Sequence, residues 1–194
     1  MKIELASLEI RQFVEGDTKA LHLIRNHESV RRYMADPSSV PYESHEEWVR
    51  NNLIDKKNLL LFMVRRKGEA IGFTLLKKVS EDTAEMGVIF KEANKYPGVI
   101  YSATVITLYI AFCCLKLSVL VSYVIPGHDR AISLNRSFGG WEIESDKPGM
   151  IRFCVSREVC LGNKNYQKGF SRIKSKLKIM GDDASPFSVW TIML

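Results

Sequence analysis

Between Tyr96 and Leu115 the chain carries 20 residues without a charge. A run of this length must leave water, either as a helix across a bilayer or as a helix inside a protein core. Its composition favours the core. Tyr101, Ser102, Thr104, Thr107 and Tyr109 are spread along it, so few of its residues prefer lipid. Pro97 and Gly98 stand at its front, where proline lacks only a hydrogen bond that the first helical turn does not make. No second run of this kind accompanies it. A buried helix is the reading adopted, with a single membrane span as the alternative.

A helix that is apolar on every side needs apolar partners on every side. The segments 59–66, 70–79 and 83–90 supply them as strands, and their spacers "KGE" and "SED" suit antiparallel hairpins. "LSVLVSYVI" (117–125) adds a short buried strand rich in β-branched residues. At the amino terminus "MKIELASLEIRQF" alternates as one first strand, and its Glu4 and Glu9 exclude the apolar core of a secretory signal. Asp17 is placed to cap a helix reaching about His27, with Leu21 and Ile24 on its inner face and Val30, Tyr33 and Met34 continuing the apolar surface. Ser44 and Glu47 have capping-box spacing before Trp48, Val49 and Leu53. "DRAISLNRSF" predicts a helix capped by Asp129 and stopped by Gly139 and Gly140, and 141–145 with 149–159 predict a closing hairpin. The order β-α-α-β-β-β-α-β-α-β-β, in 194 residues that are 46% hydrophobic and 26% charged, predicts one α/β domain.

Cys113, Cys114, Cys154 and Cys160 show no CxxC spacing, so reduced thiols in a cytoplasmic protein and no metal are expected. The net charge of +6 suggests acidic partners, and part of it gathers late in the chain. Between Glu158 and Asp182 no acidic residue intervenes, while Lys164, Lys168, Arg172, Lys174, Lys176 and Lys178 accumulate. Tyr166, Phe170, Ile173 and Leu177 recur at helical spacing, which predicts an amphipathic helix docked on the domain, basic side outward. Residues 161–194 thus form an extension to a domain of residues 1–160. Its last stretch, with Phe187, Val189, Trp190, Ile192 and Leu194, needs cover, either against the core or against a second subunit. For a homodimer, contact through that segment is expected rather than through the basic helix, which would repel its own copy.

Three segments together resemble the GNAT acyl-CoA N-acetyltransferase family over roughly residues 8 to 160. "AEMGVIFKEANKYPG" falls where that family has its fourth strand and the Arg/Gln-x-x-Gly-x-Gly/Ala turn that holds the coenzyme A pyrophosphate. "RAISLNRSFGGWEIE" is similar to the family's A-I-x-L-Y-x-x-x-G-F helix and the strand after it. "LIRNHESVRRYM" followed by "SHEEW" resembles the amino-terminal helices of the RimJ/RimL-like branch and of the nucleotide-amino-sugar acetyltransferases of the pseudaminic acid pathway type. The resemblance implies a mixed, mostly antiparallel central sheet flanked by helices, with acetyl-CoA as cosubstrate. It places the cofactor along Gly87, Val88 and Ile89 and at a loop of Lys95, Tyr96, Pro97, Gly98, Val99 and Ile100. Lys95 takes the Arg/Gln position and Gly98 the first glycine, while Ile100 departs from the second small residue. The unpaired N–H groups of a helix start suit a diphosphate there.

Acetyl transfer from a thioester to an amine needs a proton acceptor for the amine, a donor for the developing oxyanion and a proton for the departing thiolate. The resemblance puts Glu85 in the first role. Its structural alternative is an exposed strand residue paired with Lys77 or Lys78. The family's acidic Tyr aligns with Asn135, which cannot donate a proton as a phenol does but can hydrogen-bond the thioester or position a water. Ser137, Tyr123 and His128 are nearby substitutes for that acid, and His128, whose imidazole titrates in the useful range, falls where relatives often place an Asn beside coenzyme A. The resemblance also lines the acceptor cleft with Arg25, Asn26 and His27, while Trp48 and Met34 offer an apolar platform that core packing explains equally. A small-molecule amine is the expected substrate, a nucleotide-linked amino sugar foremost. A protein terminus and a coenzyme A-binding module without turnover are the alternatives. Neither a membrane nor a nucleic acid is expected as partner.

Overall fold

The computed structural model describes residues 2–5, 8–55, 59–174 and 178–180. Among the described residues nine strands form one sheet: β1 (Lys2–Leu5), β2 (Leu8–Gln12), β3 (Leu59–Arg66), β4 (Glu69–Lys78), β5 (Thr83–Phe90), β6 (Val119–Val124), β7 (Trp141–Ile143), β8 (Ile151–Ser156) and β9 (Lys178–Met180). Their spatial order is β7-β8-β6-β5-β4-β3-β2-β1-β9. Seven of the eight neighbouring pairs are antiparallel, and β5 with β6 is the parallel one. Helices α1 (Thr18–Asn26), α2 (Glu28–Arg31) and α3 (Tyr42–Val49) cover one face. Helices α4 (Pro97–Tyr109), α5 (Asp129–Ser137), α6 (Arg157–Gly162) and α7 (Lys164–Lys174) cover the other. The mixed, mostly antiparallel α/β sheet expected from the sequence is therefore present.

The uncharged run becomes α4, continued by a π-helical turn over Ile110–Cys114. It is the central core helix. Ala103, Val105, Ile106, Leu108, Ala111 and Phe112 have no exposed surface, packed between the sheet and α7. Removing each large apolar side chain from water contributes about 1.5–3 kcal/mol, so burial inside the domain accounts for the missing charges. The α7 docking needs a gap. A Cβ on Gly169 would lie 2.8 Å from both the Tyr101 ring and Val105, so glycine lets the two helices approach. Tyr166 and Phe170 fill the remaining space against Tyr109.

Four local expectations are corrected. The amino-terminal alternation folds as a hairpin, with Lys2–Leu5 paired to Leu8–Gln12, and not as one strand. Asp17 precedes α1 but makes no capping bond; its carboxylate, 1% exposed, accepts two 2.7 Å bonds from Arg11, one of 2.9 Å from Arg65 and one of 3.1 Å from the Val14 N–H. Helix α3 begins at Tyr42 after Pro41, two residues before the Ser44 box. Finally, the β8 strand ends at Ser156, whose hydroxyl accepts from the Val159 N–H and starts α6 where a longer strand was expected. Leu177 and the apolar segment from Phe187 to Leu194, with its dimer contact, lie outside the described residues.

Candidate active site

Strands β5 and β6 pair only at Thr83↔Val119, Ala84↔Leu120 and Glu85↔Val121. Beyond Glu85 each follows its other neighbour: β5 stays on β4 as far as Phe90, and β6 stays on β8 as far as Val124. The sheet therefore splits. A cleft of about 660 Å³ opens between Met86–Phe90 on one side and Ser122–Ile125 on the other, roofed by Ile100, Thr104 and Leu108 of α4.

The ladder alternation shows which backbone groups line the split. The Lys91 N–H bonds to Ile71 and the Val79 N–H to Thr83, so the odd residues of β5 spend their N–H and C=O groups on β4. The Glu85↔Val121 pair still engages the Met86 N–H, so the Met86 C=O and the backbone groups of Val88 and Phe90 turn toward the missing β6 partner, which leaves a row of polar groups facing the cleft. Side chains sort the opposite way. Met86 and Val88 pack on the α4 side, while Ile89 packs on the α1–α3 side, the face to which Glu85 also belongs.

On the α4–α5 face Ser122 and Asn135 meet. The Ser122 hydroxyl donates to Asn135 Oδ1 at 2.6 Å, and Asn135 Nδ2 donates to the Ala131 carbonyl at 2.9 Å, leaving one amide hydrogen free for the cleft. Gly140 lets the chain after α5 fold back on this residue, since a Cβ there would sit 2.8 Å from the Asn135 carbonyl oxygen. At the cleft mouth the His128 ring stacks on Tyr33 at 3.7 Å, joining the loop before α5 to the segment after α2. Burial, and then the neighbouring Arg130, push the His128 imidazole below its ordinary value, so it is neutral near pH 7. Arg130 also lines the mouth and hydrogen-bonds Asn94 on the loop after β5.

That loop is held from the opposite face. Glu92 has a left-handed φ of 47°, and its N–H donates to Ser29 Oγ at 2.9 Å. Its carboxylate pairs with Lys95, so Lys95 does not line the cleft, and neither do Tyr96, Pro97, Gly98 and Val99. Ile100 does. The first turn of α4, beside this lining, carries the Gly98 and Val99 amides without helical partners, and Arg130 is a cation at the cleft mouth where Lys95 is not. A pantetheine arm needs backbone partners along the split and its diphosphate needs donors at a helix start. Both are present, so the residues fit coenzyme A.

On the α1–α3 face Glu85 Oε2 accepts from Lys147 Nζ at 2.9 Å, a partner 62 residues away in the chain. Lys147 Nζ lies 3.5 Å above the Tyr123 ring. The Tyr123 hydroxyl donates to Asp146 Oδ1 at 2.6 Å, and burial together with that bond pushes the phenol up to about 12. Tyr123 is therefore a poor proton donor.

The other expected acceptor residues are engaged elsewhere. Arg25 donates to the Asp36 carbonyl, Asn26 clamps Val40 through both its N–H and its C=O, and His27 Nδ1 accepts from the Ser29 N–H to cap α2. Trp48 is 41% exposed beside His45, a ring whose burial lowers it to about 4. None of the four lines the cleft. Ser29, Tyr33, Ser122 and Lys147 do line it and were not singled out for the site, because each enters through a contact remote in sequence.

Residues 7–140 match the acetyltransferase (GNAT) domain family. No curated protein matches the sequence. Among solved structures, the spermidine N-acetyltransferase from Vibrio cholerae in complex with CoA and spermine is similar with a TM-score of 0.69 at 19% identity, over 81% of this chain and 100% of that one. A GNAT-family acetyltransferase from Bacillus anthracis gives 0.65 at 20% identity, over 81% and 99%. The likeness to both is one of fold. The family match spans well over half of the residues, and it covers both the split strand and the loop that follow from the geometry. The chain belongs to the GNAT family of acetyl-CoA-dependent N-acetyltransferases.

Proposed function

We propose that the acceptor is a small primary amine whose remainder is neutral or anionic, with a nucleotide-linked amino sugar as the leading class. One observation carries this reading. The cleft carries the carboxylates Glu85, Glu92 and Asp129 and the cations Arg32, Arg130 and Lys147, and two of those carboxylates already hold a lysine. A polyamine, the acceptor of the similarly folded spermidine enzymes, would find few spare anions. A phosphate-bearing amine would find Arg32.

In this reading the Val88 N–H donates to the thioester carbonyl and stabilises the charge that grows there. Glu85 receives the amine's proton from the opposite face, and the free Asn135 amide hydrogen supports the leaving sulfur. Tyr33 and His128 together cover the mouth and limit access of water. Bound acetyl-CoA supplies the activated acyl group. With Cys113, Cys114, Cys154 and Cys160 unpaired, a reducing cytoplasm is the fitting compartment. The test is thiol release from acetyl-CoA with a uridine-diphosphate amino sugar, spermidine and an alanine-starting peptide. The amino sugar should give the highest kcat/KM, about tenfold or more above the others. Spermidine or the peptide as best substrate refutes the proposal.

A further inference from the structure

The geometry points to a second acceptor for the acetyl group: the chain's own Lys147, which we infer is acetylated in cis. The inference rests on the reading of Glu85 as proton acceptor. Lys147 is a primary amine, its nitrogen lies 2.9 Å from the Glu85 carboxylate and 3.5 Å above the Tyr123 ring, and all three residues line the cleft. A substrate amine approaching from this face would have to take the same place. The position is built rather than incidental. Ser145 Oγ donates to the Lys147 carbonyl at 3.0 Å and accepts from its N–H at 3.2 Å, the Met150 N–H closes a turn on the same carbonyl, and Gly149 adopts a φ of 72°. Ion pairing alone does not single Lys147 out. Lys91 and Lys95 also pair with carboxylates, Glu69 and Glu92, but neither lysine lines the cleft.

The reaction uses only the cosubstrate of the family's activity. Glu85 takes one proton from the Lys147 ammonium, directly or through a water. The freed nitrogen lone pair forms a bond to the acetyl carbonyl carbon, the carbon–sulfur bond breaks, and its electron pair leaves with the thiolate. The nitrogen's second departing proton ends on that sulfur, so the products are acetyl-Lys147 and coenzyme A. The acetylated side chain carries no charge, and Glu85 is released to receive a free amine.

Full-length protein incubated with acetyl-CoA and no added amine, followed by intact mass and peptide mapping, tests this. One acetyl group on Lys147 is expected, appearing with a rate constant independent of protein concentration. Lys147→Arg should remove the product without raising acetylation at other lysines. Glu85→Gln should slow it by about 100-fold while coenzyme A binding by calorimetry is kept. Lys147 left unmodified by protein that binds acetyl-CoA overturns the inference. So does acetylation spread over the surface lysines at the rate seen in heat-unfolded protein, or a Glu85→Gln rate equal to wild type. Modified Lys147 with no turnover of the amine panel supports the inference while removing the proposed acceptor class, so the two failures are distinct.

Discussion

Replacing Asp17 by Asn separates two physical roles that differ in size. As an amino-terminal cap, Asp17 would be worth about 0.5–2 kcal/mol, and Asn, an equally good cap, would restore nearly all of it. The structure gives it another role. Its carboxylate is 1% exposed and takes four hydrogen bonds from Arg11, Arg65 and Val14, tying β2 and β3 to the start of α1. Removing one partner of a buried pair leaves uncompensated charge and costs about 3–5 kcal/mol. Because Arg11 and Arg65 keep 23% and 25% of their side-chain surface, the lower end applies, about 3 kcal/mol. Urea unfolding of both proteins measures it, as a lower midpoint at an unchanged slope. The pH dependence supplies a second sign. Burial pulls the Asp17 carboxyl upward, but the bonds from Arg11, Val14 and Arg65 outweigh it and hold it below its ordinary value. Its contribution is therefore present above the unfolded value of about 3.9 and is lost as pH falls through the lower folded value. Wild type should lose stability more steeply than Asp17→Asn below about pH 4. A loss under about 1 kcal/mol with identical acid slopes would refute the buried-ion account and return Asp17 to capping.

Three further outcomes concern the cleft. Glu85→Gln should lower kcat by about 100-fold with little change in acetyl-CoA affinity, because the carboxylate acts on the amine and not on the cofactor; unchanged turnover from pH 6 to 9 would leave Glu85 only its ion pair with Lys147. Arg130→Ala should weaken coenzyme A binding by calorimetry about tenfold, as expected for a lost charged hydrogen bond, while Lys95→Ala changes it little; the reverse order would restore Lys95 as the phosphate cation. Asn135→Tyr should raise kcat and add a loss of activity as pH climbs through about 10, where the phenol gives up its proton; an unchanged profile shows that the thiolate is protonated elsewhere.

The order of the main elements was legible because apolar spacing marks it directly. The strands from Leu59 to Phe90 and the helix beginning at Pro97 needed no tertiary information. The hairpin at the amino terminus did not show, because period-two alternation passes through both of its strands without a break in pattern. The Ser156 cap was present in the sequence, but the surrounding β-branched residues favoured a longer strand. In the site, Glu85, Gly87, Val88 and Ile89 were named through the family resemblance, and the alternation that turns the Val88 backbone into the split shows only in the pairing of β5 with β4. Lys147 was not named, because its 62-residue separation from Glu85 is closed only by β6 and β8 pairing. Arg25, Asn26 and His27 lie outside the cleft lining for a physical reason. Polar side chains at a helix end serve equally well to hold nearby backbone: Arg25 and Asn26 clamp the loop at Asp36 and Val40, and His27 caps α2.

The central claim is that the split between β5 and β6 receives acetyl-CoA through the backbone of Val88 and Phe90 and the carbonyl of Met86. Amide hydrogen exchange with and without coenzyme A, resolved to single residues, tests it most directly. Without ligand the Val88 and Phe90 amides should exchange faster than those of Gly87 and Ile89, which are bonded to β4. With ligand, Val88 and the Gly98 and Val99 amides at the start of α4 should slow by about tenfold or more. Equal protection across 87–90 without ligand, or slowing confined to the α1–α3 surface around Asn26 and Trp48, would contradict the account.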